Sequence, residues 1–373
     1  MQGRRLRLVA AIAAFLVVAA GGVVVAGGIP EAGEPDPVTF AYQAVANLVA
    51  LILALALVAA IAAYLGVELL QTGRVASVAG QFSTRTLVLM PIAIALNIVL
   101  GQTVVAALKV PIYLDSIGTI LVGALAGPLA GAATGLTANV LWAYVIPPPF
   151  QYPPAAAFAV VAAVIGLLAG LSVRFGLLRP RPQRPMGQLL VGGLAAAVVV
   201  IGLAYLAFLG YTTVLGAPAL EPGANAPAWD SPIFVVLGWF ALALVVATVV
   251  GLFVLLFVRR DLTASYVVVC GAVTGIVAAL ISAPIAAGVF GGVTGAGTDF
   301  LVAAFRQAGA DIQLATLGQG LISDPIDKIT TFFVVYVILN AMARRTRARY
   351  PQGERLIERD ADETDEGLRE AYA

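Results

Sequence analysis

Three charged side chains lie close together in an apolar stretch near the carboxyl end of the chain. They are Asp324, Asp327 and Lys328, within "LISDPIDKITTFFVVYVIL" (321–339). Asp324 and Lys328 are four residues apart, so they share one face of a helix and can form an ion pair. Charged groups in apolar surroundings are costly unless they are paired. Two interpretations follow: a ligand site that uses one carboxylate and the ammonium, or a self-neutralising structural pair beside Pro325.

Further polar and aromatic side chains lie between residues 111 and 146. Asp115 precedes an apolar run, where it can cap a helix or face a ligand. Asn139 and Trp142 are three residues apart on one predicted helix, with Tyr144 nearby. An amide beside aromatic rings suits a flat heteroaromatic ligand, although Trp and Tyr are also ordinary residues of a membrane interface. We predict that Asn139 and Trp142 belong to a binding site and that Tyr144 belongs to the interface.

Two loop sequences are suited to close over such a site. The first, "PPPFQYPP" (147–154), supplies Gln151 and Tyr152. The second, "GGVTGAGTD" (291–299), has the glycine content of a phosphate-binding loop but contains no lysine and follows no predicted strand. We therefore predict an external lid there, in which Thr298 and Asp299 contact a ligand when the lid shuts.

The residue types that are missing restrict the chemistry. The chain has no histidine and one cysteine, Cys270, which excludes an internal disulfide and the usual zinc and iron–sulfur sites. It also has no phosphate-binding loop of the G-x-x-x-x-G-K-[ST] type for ATP. We expect no enzyme activity, no metal, no cofactor and no nucleic-acid partner. Energy for uphill transport would come from an ion gradient or from a partner protein.

The composition indicates that these residues lie in a membrane. The mean hydropathy is +0.99, and 61% of the 373 residues are hydrophobic while 11% are charged. A helix needs about 20 apolar residues to cross a bilayer, and the runs lack the alternation of barrel strands. The sequence therefore predicts an all-α polytopic protein of the cell membrane. Its uncharged runs are 8–29, 38–67, 86–108, 116–173, 185–220, 231–258 and 262–298.

One of these runs, 116–173, must be divided to satisfy the charge distribution. Prolines between Pro147 and Pro154 split it, and the part after them ends at arginines that should be cytoplasmic. The part before them must then cross twice or not at all. We predict two short helices, each about 26 Å long, that reverse at Gly127 and Pro128. Close packing of Gly123, Gly131 and Gly135 would join them; the alternative is one long kinked helix.

With that reversal, about ten crossings place both chain ends in the cytoplasm. Lys109, Arg306 and Lys328 are then the only basic residues on or near the outside. The first run is a signal anchor or a cleaved signal peptide. We predict that the tail from Tyr350 is disordered apart from a short amphipathic helix around Arg355–Arg359. The predicted units are 1–80, 81–187, 188–262, 263–345 and 346–373.

Three stretches carry a resemblance to a known family. "PIYLDSIGTILVGALAGPLAGAATGLTANVLW" (111–142), "APIAAGVFGGVTGAGTDF" (283–300) and 321–339 resemble the substrate-binding S components of energy-coupling factor (ECF) vitamin importers. Members have six helices, both ends in the cytoplasm, and a substrate site near the outer face. The resemblance implies a six-helix core from 86–108, 111–127, 129–146, 155–173, 263–290 and 320–343. The pairs within 8–67 and 188–258 would be added helical hairpins.

The resemblance also implies partners: a vitamin-like small molecule, a transmembrane coupling protein and two ATPase subunits. Family members often dock the coupling protein through an Ala-x-x-x-Ala face on the first helix. The equivalent stripe here is Ala93, Asn97 and Gly101, and Asn97 is also suited to an interhelical hydrogen bond. The alternatives are a stand-alone ion-coupled carrier that uses Asp324, Asp327 and Lys328, and a membrane sensor or scaffold.

Overall fold

A computed structural model describes residues 2–26, 41–75, 80–102, 113–181, 184–197 and 250–357, apart from a few single positions, together with a few isolated positions elsewhere. All regular secondary structure in these ranges is helical. The α-helices are α1 (Gln2–Val25), α2 (Ala41–Thr72), α3 (Thr84–Gly101), α4 (Ile117–Ala126), α5 (Pro128–Tyr144), α6 (Ala159–Arg174), α7 (Thr263–Phe290), α8 (Asp299–Gln307), α9 (Ile312–Ala341) and α10 (Arg344–Ala348). Short 3₁₀ turns cover Pro153–Ala156 and Gly353–Leu356.

Several of these helices suit a bilayer. In the described part of the chain, four helical segments are long and apolar enough to cross a membrane: Leu6–Val25, Leu55–Thr72, Thr84–Gly101 and Thr263–Phe290. Helices α4 and α6 are apolar but shorter. For the residues that the structure describes, the prediction of an all-helical fold with apolar spans suited to a membrane is therefore confirmed.

The predicted chain reversal at Gly127 is present. Helix α4 ends at Ala126, and Pro128 occupies the first turn of α5, where its missing N–H removes no helical hydrogen bond. Gly127 has φ 130°, a conformation that side chains other than glycine rarely adopt. A Cβ on Gly131 would lie 2.6 Å from the Cα of Gly123, so the two helices form a tight antiparallel hairpin. A single kinked helix is therefore excluded.

Helix α6 packs into this hairpin through two glycines that the sequence analysis did not select. A Cβ on Gly166 would lie 2.2 Å from the carbonyl carbon of Gly131, and one on Gly170 would lie 2.3 Å from the nitrogen of Pro128. We call Gly123, Gly131, Gly166 and Gly170 the glycine junction. At the junction, backbone packs on backbone, which only residues without a side chain allow.

The first short helix is shorter than predicted. It begins at Ile117 and has 10 residues, which corresponds to about 15 Å rather than 26 Å. The chain before it cannot be helical because Leu114 has φ 51°, in the left-handed region. Asp115 is not the capping residue: Ser116 occupies that position and makes no side-chain capping bond. The capping interpretation of Asp115 was therefore wrong.

The segment after α7 also differs from the prediction. The sequence predicts no helix between 263–290 and 320–343, but that interval contains α8 and the first turns of α9. Asp311 starts α9 early, since its carboxylate accepts a hydrogen bond from the backbone N–H of Leu314 at 2.8 Å. In α8, Leu301 and Val302 are buried while Arg306 is exposed.

The stripe on α3 packs inside the chain. Ala93 and Asn97 are buried, and a Cβ on Gly118 of α4 would lie 2.2 Å from the carbonyl oxygen of Ala93. Asn97 donates to Thr119 Oγ1 and accepts from the backbone N–H of Gly118, both at 2.7 Å, which confirms its predicted interhelical hydrogen bond. Gly101 leaves room for the ring of Trp142. These contacts support a helix-packing role for the stripe.

Arginines gather at the end of the bundle that contains the Gly127 turn. Arg85 donates to the carbonyl of Arg349, and Arg355 donates to that of Arg174. The buried Gln352 lies between them and donates from Nε2 to the carbonyls of Gly123 and Gly170, at 3.0 and 3.3 Å. We call the end of the bundle that contains the Gly127 turn and these arginines the arginine end. The prediction that the tail is disordered from Tyr350 was wrong for residues 350–357, because the backbone N–H of Gln352 donates at 2.8 Å to the carbonyl of Leu125 at the end of α4, and its side chain adds the two bonds above.

The amino-terminal pair is held at its polar ends. Arg7 of α1 forms an ion pair with the buried Glu68 of α2 at 3.1 Å and donates to Gln71 at 2.8 Å. The two helices therefore run antiparallel. Most of the predicted hairpin 188–258 lies outside the described residues, as do Lys109, the segment 31–37 and the tail beyond 357.

Candidate ligand cavity

A cavity opens at the end of the bundle opposite the arginine end. Its walls come from the turn before α4, from α5, α6, α7 and α9, and from the proline-rich and glycine-rich loops. It encloses about 890 Å³ of space between atoms, including its open mouth. Because that figure includes open solvent, any ligand is smaller than the whole volume. The predicted site residues in its walls are Asp115, Asn139, Trp142, Tyr152, Asp299, Asp324 and Lys328.

The ammonium of Lys328 is surrounded by oxygen atoms. Its Nζ lies 2.5 Å from Asp327 Oδ2, 2.8 Å from Ser116 Oγ and 3.7 Å from Asp115 Oδ1. Asp324 was the predicted partner, but it lies beyond ion-pair distance of this nitrogen. Asp324 is not the partner because Asp327 and Asp115 lie closer to the ammonium of Lys328 and compensate its buried charge.

Asp327 also fixes the segment that precedes α4. Its Oδ1 accepts hydrogen bonds from the backbone N–H groups of Tyr113 and Leu114, at 3.0 and 2.8 Å. The side chain is fully buried behind the cavity wall. Asp327 is therefore a structural residue that holds the turn and Lys328, and it does not line the cavity.

Asp324 faces the cavity one turn earlier on α9. Its carboxylate accepts hydrogen bonds from Ser282 of α7 and Ser323, both at 3.3 Å. Gln319 donates to Ser323 at 2.6 Å. Gln319, Ser323 and Asp327 recur at intervals of four residues, so a polar stripe on α9 is visible in the sequence and was missed.

Two aromatic rings form another wall. The rings of Trp142 and Tyr152 are 4.9 Å apart, and the Trp142 N–H donates to the carbonyl of Phe150 at 3.1 Å. Gln151 was predicted to touch a ligand, but its amide donates to the carbonyl of Ala143 and it is absent from the cavity walls. In this alternating loop segment, Tyr152 takes the inward position.

Asn139 is the polar group in the walls that has no protein partner. Its side chain is 8% exposed and lines the cavity. In the described part of the chain, its amide makes no hydrogen bond to protein. The amide faces the cavity, where a ligand or water can complete its bonding and remove the cost of leaving it without a partner.

The two predicted lid loops are tied to the rest of the site. The hydroxyl of Tyr152 donates to the carbonyl of Thr294 at 2.7 Å, and Tyr113 and Thr298 share a hydrogen bond of 2.8 Å. Asp299 accepts from Thr294 and from the N–H of Gly295, which fixes the glycine-rich loop. The two loops therefore meet over the cavity.

Burial affects the titration of three groups in the segments that precede α4 and α6. It raises the pKa of Asp115 above its ordinary value, against a lowering by Lys328. It also raises the pKa of Tyr113 and of Tyr152. Both phenols therefore keep their protons at neutral pH and remain hydrogen-bond donors.

Sequence reasoning missed several residues in the walls. Tyr113, Ser116, Ser282 and Gln319 line the cavity, and the polar positions in apolar helices were the available signal for the last two. Within the described residues, no cluster of three acidic, cysteine or histidine side chains is placed to hold a metal ion. No family model, curated protein or solved structure matches this chain.

Proposed function

We propose that this chain is the membrane-embedded, substrate-binding subunit of an ECF-type importer, which captures a vitamin-like small molecule from outside the cell. The proposal rests on the resemblance of three sequence stretches and on one structural observation. That observation is the cavity at the end remote from the arginines, with the unpartnered amide of Asn139 in its wall.

The direction of capture follows from charge. Cytoplasmic loops are enriched in arginine and lysine, and the arginine end contains Arg85, Arg174, Arg349 and Arg355. With that end in the cytoplasm, the cavity opens outside. About ten crossings with both ends cytoplasmic complete this topology.

Capture would proceed by opening and closing of the two loops. The bond Tyr152–Thr294 joins the two loops over the cavity, and the bond Tyr113–Thr298 ties the glycine-rich loop to the segment before α4. Their separation admits the molecule, and their return excludes water. Separate coupling and ATPase subunits would supply the energy for release inward.

An ion-coupled carrier is a second candidate. The observation in its favour is the buried contact between Lys328 and two carboxylates, Asp327 and Asp115. Ionisable groups inside a bilayer commonly form proton pathways. This candidate predicts transport by the chain alone.

Two measurements test these functions. Mass spectrometry of molecules released from the purified protein identifies the bound compound, and its uptake is then measured in cells and in liposomes. An importer subunit co-purifies with membrane and ATPase partners, and its uptake stops when cellular ATP is depleted. Uptake by the chain alone in liposomes, driven by a pH gradient, would instead establish the carrier. Binding without uptake in either system would contradict both.

A further inference from the structure

The walls of the cavity carry more negative than positive charge. Asp115, Asp299 and Asp324 line it, and among the residues that the structure describes Lys328 is the one lysine or arginine in its walls. Lys328 is already paired with Asp327, which lies behind the wall. The carboxylates that face the cavity are therefore in excess.

The ammonium of Lys328 is neutralised within the protein. Two of its three N–H groups donate to Asp327 Oδ2 and Ser116 Oγ, and the third faces Asp115 Oδ1 at 3.7 Å, which is ion-pair distance but beyond a hydrogen bond. An anionic ligand at that third N–H would lie against two carboxylates. The cavity is therefore unsuited to a carboxylate or phosphate as the group that anchors the ligand.

Asp324 is the carboxylate with the greatest need for a cation. It is 6% exposed, and in the described part of the chain no lysine or arginine nitrogen lies within ion-pair distance of it. Two serine hydroxyls at 3.3 Å are its partners. A buried carboxylate without a compensating positive charge takes up a proton, and a cationic ligand would instead keep it ionised.

The aromatic walls favour the same kind of ligand. Trp142, Tyr152, Tyr113 and Phe158 all line the cavity. Aromatic rings attract organic cations through their negative faces, and tryptophan and tyrosine are well suited to this. An unpartnered amide at Asn139 adds a hydrogen-bonding group for a polar substituent.

We infer that the cavity binds a small organic cation, an amine or ring-borne ammonium, with Asp324 as its counterion and the aromatic side chains as its apolar wall. This inference rests on the proposed capture of a small molecule. It names the charge class of that molecule.

The test uses two matched series of probes that differ in charge. One is 1-methylnicotinamide, nicotinamide and nicotinate; the other is benzyltrimethylammonium, benzyl alcohol and benzoate. Binding to the purified chain in lipid nanodiscs is measured by thermal stabilisation and calorimetry. We expect the cation of a series to bind more tightly than its neutral and anionic counterparts.

The variant Asp324→Asn removes the charge and keeps the shape. It should weaken cation binding by about ten- to hundredfold and leave neutral probes nearly unaffected. The matched control is Asp311→Asn, since Asp311 is exposed, caps the same helix and does not line the cavity. Control binding should equal that of the unmodified chain.

The outcomes distinguish failure of the inferred charge class from failure of the proposed capture of a small molecule. A preference for neutral or anionic probes, or equal cation binding by Asp324→Asn, overturns the charge class and leaves capture intact. Failure of every probe to bind, with no small molecule released from the purified protein, overturns capture as well. If Asp324→Asn does not fold, the two probe series on the unmodified chain still decide the preference.

Discussion

The backbone N–H of Leu114 donates to Asp327 Oδ1 at 2.8 Å, although the two residues are 213 positions apart in the sequence. The other oxygen of the same carboxylate lies 2.5 Å from the ammonium of Lys328. One buried side chain thus fixes both the turn before α4 and the charge on α9. This link joins the stretches 111–142 and 321–339, which both contribute side chains to the cavity walls.

The first prediction concerns that carboxylate. Asp327→Asn retains an oxygen for the N–H of Leu114 but leaves the buried ammonium of Lys328 without its nearest counter-charge. Loss of one partner of a buried pair costs about 3–5 kcal/mol, so the midpoint of thermal unfolding should fall clearly. Asp311→Asn, in which the cap is kept, should leave the midpoint unchanged. An unchanged midpoint for Asp327→Asn would show that the pair contributes nothing to stability.

A substitution of Asn139 should weaken ligand binding without lowering the stability of the fold. Asn139→Leu removes an amide that has no protein partner, so the folded protein should be as stable as before or slightly more stable. Binding of the compound released from the purified protein should weaken by about tenfold or more. Calorimetry with that compound measures the change. Retained affinity would place the ligand elsewhere.

The close backbone packing at the glycine junction can be tested by adding one methyl group, in the variant Gly131→Ala. In Gly131→Ala the new Cβ meets the Cα of Gly123 at 2.6 Å and the carbonyl oxygen of Gly166 at 2.7 Å, so backbones must separate. Overpacking of this kind costs about 1–3 kcal/mol and should lower the unfolding midpoint. Gly288→Ala is the matched control, because nothing lies within 4 Å of its added Cβ. Equal behaviour of the two variants would contradict the close packing.

Gln352 is expected to hold the carboxyl-terminal segment on the helix ends. Gln352→Ala removes a donor from the carbonyls of Gly123 and Gly170, and because the carbonyl of Gly123 keeps its bond from the N–H of Gly127, the cost should be about 1 kcal/mol. Trypsin should then cut more quickly after Arg355. Gln313→Ala, at an exposed position of α9, should not change the cleavage rate. The same rate in both variants would show that the segment is held by other contacts.

The proposed orientation is tested by labelling. In a chain whose buried Cys270 is replaced by alanine, a cysteine is introduced as Phe150→Cys in the proline-rich loop or as Glu354→Cys at the arginine end. Both positions are exposed. An impermeant thiol reagent should label position 150 in intact cells and position 354 only after the membrane is opened. The reverse pattern would invert the topology.

Local sequence rules were enough for some features of this fold. Glycines at intervals of four, a proline and the distribution of arginines located the reversal at Gly127. The length of α4 was not predictable, because the left-handed Leu114 is held by Asp327 from the far end of the chain. Long-range contacts of this type leave no trace in local periodicity.

The site was predictable to a similar degree. Polar residues in apolar helices identified most of the charged and amide groups in the cavity walls. The pairing of Lys328 was wrong because spacing along one helix does not reveal Asp115 or Ser116 on a neighbouring segment. The prediction that Gln151 contacts a ligand was wrong because the orientation of its side chain depends on the conformation of the proline-rich loop, which turns it toward the carbonyl of Ala143.

The ten-residue length of α4 determines how deep the cavity lies. Ser116, in the cavity wall, is separated from Gly127 by about 15 Å of helix, half the thickness of a hydrocarbon core. With Gly127 at the cytoplasmic surface, a bound molecule would already be near the bilayer midplane. In the proposed orientation the glycine junction would lie between that molecule and the cytoplasm, and a shift of its backbones would have to break the hydrogen bonds from the Gln352 side chain to the carbonyls of Gly123 and Gly170.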